Sequence, residues 1–276
     1  AVSLNRLIEE SGISGAVVKK LHDKGLVEFT DGEIIRTASL DSAIRRSQEA
    51  IVLNDRQQEA MKEISSYLEK NVFTPILLHG VTGSGKTEIY LKTIEKVLER
   101  GASAIYLVPE IALTPQLISR VAGRFDKQKI AVLHSGIAES VRYDQWRQIK
   151  RGLIKLVIGT RSALFAPLPD LKLIIVDEEH DVSYKQDDRL CYNARDMAIV
   201  KAKMDSAVVI TGSATPGIHT YFNARTKKYL HLELPHRVDD KPMPVVEIID
   251  MKAAQEKTGK VPILSEALIE GINETL

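Results

Sequence analysis

The sequence contains a single cysteine, Cys191. One thiol builds no internal disulfide and no cysteine-based zinc site. A reducing, cytoplasmic setting fits that usage. Neither charge is in excess: 38 Lys or Arg stand against 37 Asp or Glu, a formal net of +1. Bulk charge therefore compels neither a nucleic-acid nor a membrane partner, and any basic surface must come from local arrangement. No apolar run nears the roughly 20 residues that cross a bilayer as a helix, so no membrane partner is expected. The start, Ala1-Val2-Ser3, has no initiator Met and no signal-peptide pattern, and a piece of a longer chain is expected. Internal repeats and low-complexity tracts are missing too. What remains, 44% hydrophobic and 27% charged over 276 residues, is an ordinary globular composition. It is enough for one large domain, or a small one followed by a large one.

The most informative stretch present is Gly80-Val81-Thr82-Gly83-Ser84-Gly85-Lys86-Thr87, which fits the phosphate-binding pattern G-x-x-x-x-G-K-[ST]. The apolar run Pro75 to Leu78 precedes it and a helical pattern, Glu88 to Arg100, follows. That strand–loop–helix setting gives the pattern its meaning. Gly80, Gly83, Ser84 and Gly85 form a tight turn whose N–H groups can point at phosphate oxygens. Lys86 is expected to reach the β- and γ-phosphates as a compact point charge. The Thr87 hydroxyl is expected on Mg²⁺, and the helix N-terminus adds partial positive charge.

Residues 1–40 read as a small module. Leu4, Leu7 and Ile8 share a helical face, Ser11-Gly12-Ile13-Ser14 makes a turn, and Ser14 is placed to cap a second helix, Gly15 to Lys24. Leu26 to Phe29 and Ile34 to Arg36 flank Asp31-Gly32, a hairpin signal. Helix, turn, helix and two-stranded wing is a partial winged-helix pattern, with the first of the usual three helices cut away. Residues 1–50 hold seven Lys or Arg and eight Asp or Glu, so bulk phosphate binding is not its basis. Contact with DNA and docking of protein both stay open for it. Residues 41–54 read as a linker. A helix then runs from Asp55, a candidate cap, to about Glu69, with Gln57 and Gln58 on it.

From residue 75 onward, strands alternate with helical patterns. Ile76–His79, Ala104–Val108, Ile130–Leu133, Leu156–Gly159, Leu173–Val176 and Ala207–Thr211 read as strands. Glu88–Arg100, Gln116–Phe125, Ser140–Arg151 and Arg195–Met204 read as helices, with Trp146 a packing residue. Continuous apolar strands separated by helices predict an α/β fold, a parallel sheet covered on both faces. Nucleotide then belongs at the carboxyl ends of the strands.

Leu173 to Val176 lead straight into Asp177-Glu178-Glu179-His180. Asp177 stands where a Mg²⁺-binding carboxylate belongs, and Glu178 can deprotonate an attacking water. The expectation is that loop and acid pair project from adjacent strand tips. Gly212-Ser213-Ala214-Thr215-Pro216 follows the last strand with small hydroxyls able to sense the acid loop. Ser183 to Asp196 mixes Tyr184 and Tyr192 with Lys185, Arg189 and Arg195, the recipe for single-strand binding by stacking and charge. The tyrosines either stack bases or pack the loop down.

Together, Gly80–Thr87, the DEEH run 177–180 and Ser213-Ala214-Thr215 resemble motifs I, II and III of superfamily 2 helicases. Leu107 to Gln116 (LVPEIALTPQ) resembles motif Ia, and Val157 to Pro167 (VIGTRSALFAP) resembles motif Ib. These spellings are similar to those of the PriA family, the bacterial primosomal replication-restart helicases, over nearly all of residues 53–250. The resemblance implies a RecA-like lobe over 55–250 and the truncated start of a second lobe over 251–276. It implies an ATP-dependent, 3′-to-5′ DNA helicase that acts on single-stranded and forked DNA. Such a helicase restarts replication with primosome and helicase-loading proteins. By position, Gln57 would contact adenine, and His180, Ser213 and Thr215 would couple hydrolysis to movement. Thr114, Thr160 and Arg161 would touch the strand backbone. The family's zinc module and the second lobe's arginine finger would lie beyond this stretch. Weak hydrolysis by the isolated chain is therefore expected, with a monomer as the default. Another superfamily 2 translocase, restriction-type or RNA-directed, and a nucleotide-gated loading scaffold are the alternatives.

Overall fold

A computed structural model describes residues 7–8, 11–28, 52–188, 190–238, 246–252 and 263–275. The expected wing beyond Glu28, nearly all of the linker, Leu4, Arg189 and residues 253–260 lie outside those residues, and Leu26 to Glu28, expected to begin the first wing strand, form no strand, with a bend at Leu26 and Val27. The chain divides into two compact units, Ala1–Asp239 and Asp240–Leu276, a division ahead of the expected lobe end at 250. Among the described residues no helix is long and apolar enough to cross a membrane.

In the first unit, α1 (Gly15–Asp23) buries Val18 and is followed by Gly25 in the left-handed region at φ 69°. Ser14 sits at its N-cap but makes no capping side-chain bond, contrary to expectation. Helix α2 (Asp55–Lys70) is capped by Asn54, not Asp55. The Asn54 side chain accepts from the Gln57 N–H, and the Gln57 side chain accepts from the Asn54 N–H, each at 2.9 Å. This reciprocal box satisfies two donors that a helix start otherwise leaves unpaired.

The rest of the unit alternates as the apolar spacing requires. β1 (Thr74–Gly80), α3 (Lys86–Glu99), β2 (Ser103–Leu107), α4 (Pro115–Arg124), β3 (Ile130–Leu133), α5 (Glu139–Lys150), β4 (Leu156–Gly159) and β5 (Leu171–Val176) follow in turn. A short antiparallel hairpin, β6 (Lys185–Gln186) and β7 (Tyr192–Asn193), leads into α6 (Ala194–Met204), β8 (Val208–Ser213), α7 (Ile218–Arg225) and β9 (Leu230–Leu234). The hairpin, α7 and β9 are not among the expected elements. Tyr229 directly precedes β9, the edge strand of the sheet, and Leu232 and Leu234 of that strand are buried.

Seven strands form one parallel sheet in the order β3-β4-β2-β5-β8-β1-β9. Alternate residues go to opposite faces. Ile76, Leu78, Ala104, Tyr106, Leu173 and Ile175 join one core with α2 and α3, while Ile105, Leu107, Val157, Ile174 and Val209 join a second with α5 and α6. Burial on both faces explains why the strands read as unbroken apolar runs. Each buried Leu, Ile or Val contributes roughly 1.5–3 kcal/mol. Trp146 is half-buried on α5. In the second unit, α8 (Glu266–Thr275) starts where Ser265 accepts from the Leu268 N–H at 3.2 Å.

Candidate active site

The phosphate loop joins β1 to α3. Gly85 has φ 84°, and a Cβ there would run into the Gln57 amide. Only glycine meets both demands. Gln57 is buried, and its amide donates to the Ser84 carbonyl at 2.8 Å. The side chain expected on adenine thus braces the loop from the α2 side. Lys86 Nζ donates to the Gly80 carbonyl at 2.6 Å and lies 3.4 Å from that of Val81. Burial lowers the Lys86 pKa, opposed by the charges of Glu178 and Asp177. The lysine and the acid pair therefore share one site. Ser84 Oγ is buried without a partner among the described residues. The N–H groups of Lys86 and Thr87 open α3 and have no helical acceptor. On the β9 side the loop is tied twice: Val81 N–H donates to the Leu234 carbonyl at 3.2 Å, and Val238 N–H donates to that of Gly83 at 3.0 Å.

Asp177 follows β5. Its backbone N–H donates to Leu107 at 3.0 Å, Tyr106 Oη donates to its carboxylate at 3.2 Å, and Tyr184 Oη donates to its carbonyl at 2.6 Å. Burial, then the neighbouring Glu178 charge, raises the Asp177 pKa to about 6. Glu178 sits in the left-handed region at φ 44°. A non-glycine residue held there stores of order 1–3 kcal/mol, which the surrounding contacts must offset. The loop and the acid pair do not rise from adjacent strands, because β8 lies between β1 and β5. That intervening strand carries Ser213, whose hydroxyl lies 2.8 Å from His180 Nδ1 and accepts from the Thr215 N–H at 2.9 Å. His180 is also 3.7 Å from Glu178. The three expected coupling residues thus form one chain from the acid pair to the end of the middle strand.

The residues expected on DNA divide. Thr114 is exposed and caps α4, accepting from the Leu117 N–H at 3.3 Å. Lys185 is exposed, paired with Asp187 at 2.9 Å. Tyr192 is half-buried, edge-on to Phe165 at 5.2 Å between centroids. The others turn inward. Thr160 is buried. Arg161 donates to the carbonyls of Ser183 and Lys185 at 3.3 and 3.0 Å, fastening the hairpin. Arg195 pairs with buried Glu179 at 3.3 Å and with Asp196 at 2.8 Å. Tyr184 is 1% exposed, so its ring packs the loop down and is closed to base stacking.

Sequence reasoning missed Glu179, the third acid of the run. It accepts from Gly217 N–H at 2.6 Å and Thr220 Oγ1 at 2.8 Å as well as from Arg195. Its position beside two acids at a strand end was a signal; its partners came from α6 and α7. Tyr90 and Gly212 were missed too. Any Cβ on Gly212 would meet the Tyr90 hydroxyl, so a bare backbone is needed there.

A family model described as DEAD/DEAH box helicase matches residues 54–223. The chain is 43% identical over 270 residues to the replication restart protein PriA of Bacillus subtilis, covering 98% of this chain and 33% of that protein. It is 43% identical over 273 residues to PriA of Synechocystis sp., covering 97% and 32%. The chain thus spans about a third of the length of these relatives. RecG bound to a three-way DNA junction superposes with a TM-score of 0.51 at 21% identity, covering 90% of this chain and 29% of that one. At that identity the likeness concerns the fold alone. It agrees with the α/β, RecA-like lobe expected from the sequence.

Proposed function

The chain belongs to the DEAD/DEAH box helicase family, and from that premise we propose that it is the ATP-binding lobe of a DNA helicase that restarts replication. The observation that carries this reading is the meeting of Lys86, Asp177, Glu178 and the His180–Ser213 chain at the carboxyl end of one sheet. The donor set fits a Mg²⁺-bound triphosphate: positive-φ glycines, a buried Ser84 hydroxyl without a partner among the described residues, and a lysine beside two carboxylates. Bound there, ATP would supply the phosphoanhydride whose hydrolysis releases free energy, and Mg²⁺ would offset the charge on its phosphate oxygens.

The chain's own residues would divide the work. Gly80, Gly83, Ser84 and Gly85 shape the cradle, and Gln57 holds it from behind. Lys86 turns from the Gly80 carbonyl toward phosphate oxygens. Thr87 and Asp177 would hold the metal. Glu178, two residues past the end of β5 and held in a left-handed backbone, would take the proton of the attacking water. His180, Ser213 and Thr215 pass the state of the acid pair to β8. Thr114 and Lys185 are exposed and would meet the single-strand backbone, and half-buried Tyr192 would offer its open side to a base. Tyr184 and Arg161 act from within, tying the hairpin to Asp177 and the motif Ib turn.

For the whole protein we infer 3′-to-5′ movement on forked DNA and the reloading of a replicative helicase through partner proteins. The relatives' names support the part of that role that concerns replication restart. The test is nucleotide affinity with and without Mg²⁺, followed by competition among forked DNA, blunt duplex and RNA. Mg²⁺-dependent ATP binding with a preference for forks is expected. A preference for RNA would move the chain to a different branch of the family. No nucleotide binding would end the motor reading.

A further inference from the structure

We propose that His79, His231 and Glu233 form a binding site for one divalent transition-metal ion of the zinc type, separate from the nucleotide site. The ligand atoms of the three side chains lie within 4.8 Å of one another. Their placement follows from sheet register. His79 on β1 pairs with Glu233 on β9, and His231, two residues before Glu233, shares its face. The His79 and His231 rings lie parallel, 5.7 Å apart, and Tyr221 of α7 stands edge-on to both at 6.2 and 6.0 Å. His231 Nε2 is buried, makes no hydrogen bond among the described residues, and lies 3.3 Å from a Glu233 carboxylate oxygen. A polar atom shut from water beside a second imidazole and a carboxylate is a costly arrangement without an ion.

The chemistry of the set selects the ion. Two imidazoles with one carboxylate suit zinc and its neighbours in the first transition row, not Mg²⁺ or Ca²⁺, which prefer all-oxygen shells. Zinc binds imidazole nitrogen at about 2.0–2.1 Å, so the ligand atoms must close by roughly 1 Å. Glu233 is exposed and free to swing, while the two rings start in place on paired strands. Arg56, Glu59 and Glu63 line the cleft of about 410 Å³ beside His231 and Glu233; Arg56 pairs with Glu59 at 3.1 Å, which leaves Glu63 as the added negative charge. A fourth ligand would be water.

This site joins β1 and β9 one residue before the phosphate loop begins at Gly80. An ion there would fix the edge to which Val81 is tied through Leu234. The inference does not depend on the nucleotide reading, and its test needs no nucleotide. The chain, freed of metal, is titrated with Zn²⁺ by calorimetry and with Co²⁺ by visible absorption. One equivalent with micromolar or tighter affinity is expected, with a tetrahedral Co²⁺ spectrum and a raised melting temperature. His231→Ala and Glu233→Gln should each weaken Zn²⁺ binding by at least about 10-fold, the lower end of what even outer-shell changes cost. His134→Ala should leave it unchanged. Glu233 is exposed, so Glu233→Gln tests ligation without disturbing the fold. Absence of saturable Zn²⁺ binding, or binding unchanged in Glu233→Gln and His231→Ala, would overturn the proposal.

Discussion

Two regions of the lobe carry equally clear sequence patterns, and they behave differently. The phosphate loop keeps its expected place between a strand and a helix and the acid pair its place at a strand end, although β8 separates the two strands, because glycine φ angles, a helix start and a strand end are local. The residues expected on DNA do not all face a strand: Tyr184 and Thr160 are buried, Arg195 turns to buried Glu179, and half-buried Arg161 is bonded to the hairpin. Backbone chemistry is set by neighbours in sequence. The direction of a long side chain is set by whichever buried partner reaches it first. Glu179, buried between α6 and α7, claims Arg195. The carbonyls of the hairpin claim Arg161.

That contrast can be broken experimentally, and the largest effect belongs to the loop. Lys86→Ala should lower ATP turnover of the whole protein by about 10²–10³-fold or more, in steady-state assays, with the fold intact by circular dichroism. Next comes the inward group. Glu179→Ala leaves the Arg195 guanidinium without its buried partner and should cost about 3–5 kcal/mol in denaturant unfolding. A change below 1 kcal/mol would return Arg195 to the surface. Tyr184→Ala should cost about 3 kcal/mol and Tyr184→Phe about 1 kcal/mol, separating ring packing from the bond to Asp177. If Tyr184 stacked bases instead, Tyr184→Ala would spare stability and weaken single-strand binding. Asp177→Asn is smaller, and its sign follows from the raised pKa of about 6. The folded state holds this proton more tightly than the unfolded chain, so folding loses stability as pH rises from about 4 to 6. In metal-free buffer the variant should gain roughly 1–2 kcal/mol over wild type at pH 7.5 and nothing at pH 4. Smallest is Lys185→Ala: the melting temperature should not move, and the salt slope of single-strand binding should fall by about 1 at most.

Much of the fold was legible before any coordinates. β3 and β4 match their expected bounds, and the other four expected strands differ only at their ends. Both follow from apolar runs buried on two faces. β9 was missed because His231 and Glu233 interrupt its apolar pattern, as an edge strand allows. The cap at Asn54 was read one residue late, since Asp55 offers the same chemistry and only geometry chooses between them. Insertion of β8 between β1 and β5 is a matter of topology, which no local pattern carries. The burial of Gln57, Glu179 and Tyr184 depends on segments distant in sequence.

The two ties from the β9 side of the phosphate loop have a mechanical consequence. Leu234 and Val238 bracket the run by which the polypeptide leaves the sheet, and each shares a hydrogen bond with the turn between Gly80 and Gly85. Tension applied downstream of Val238 would therefore be felt at the glycines before it reached any core strand. The nucleotide cradle is also the anchor of its own leash.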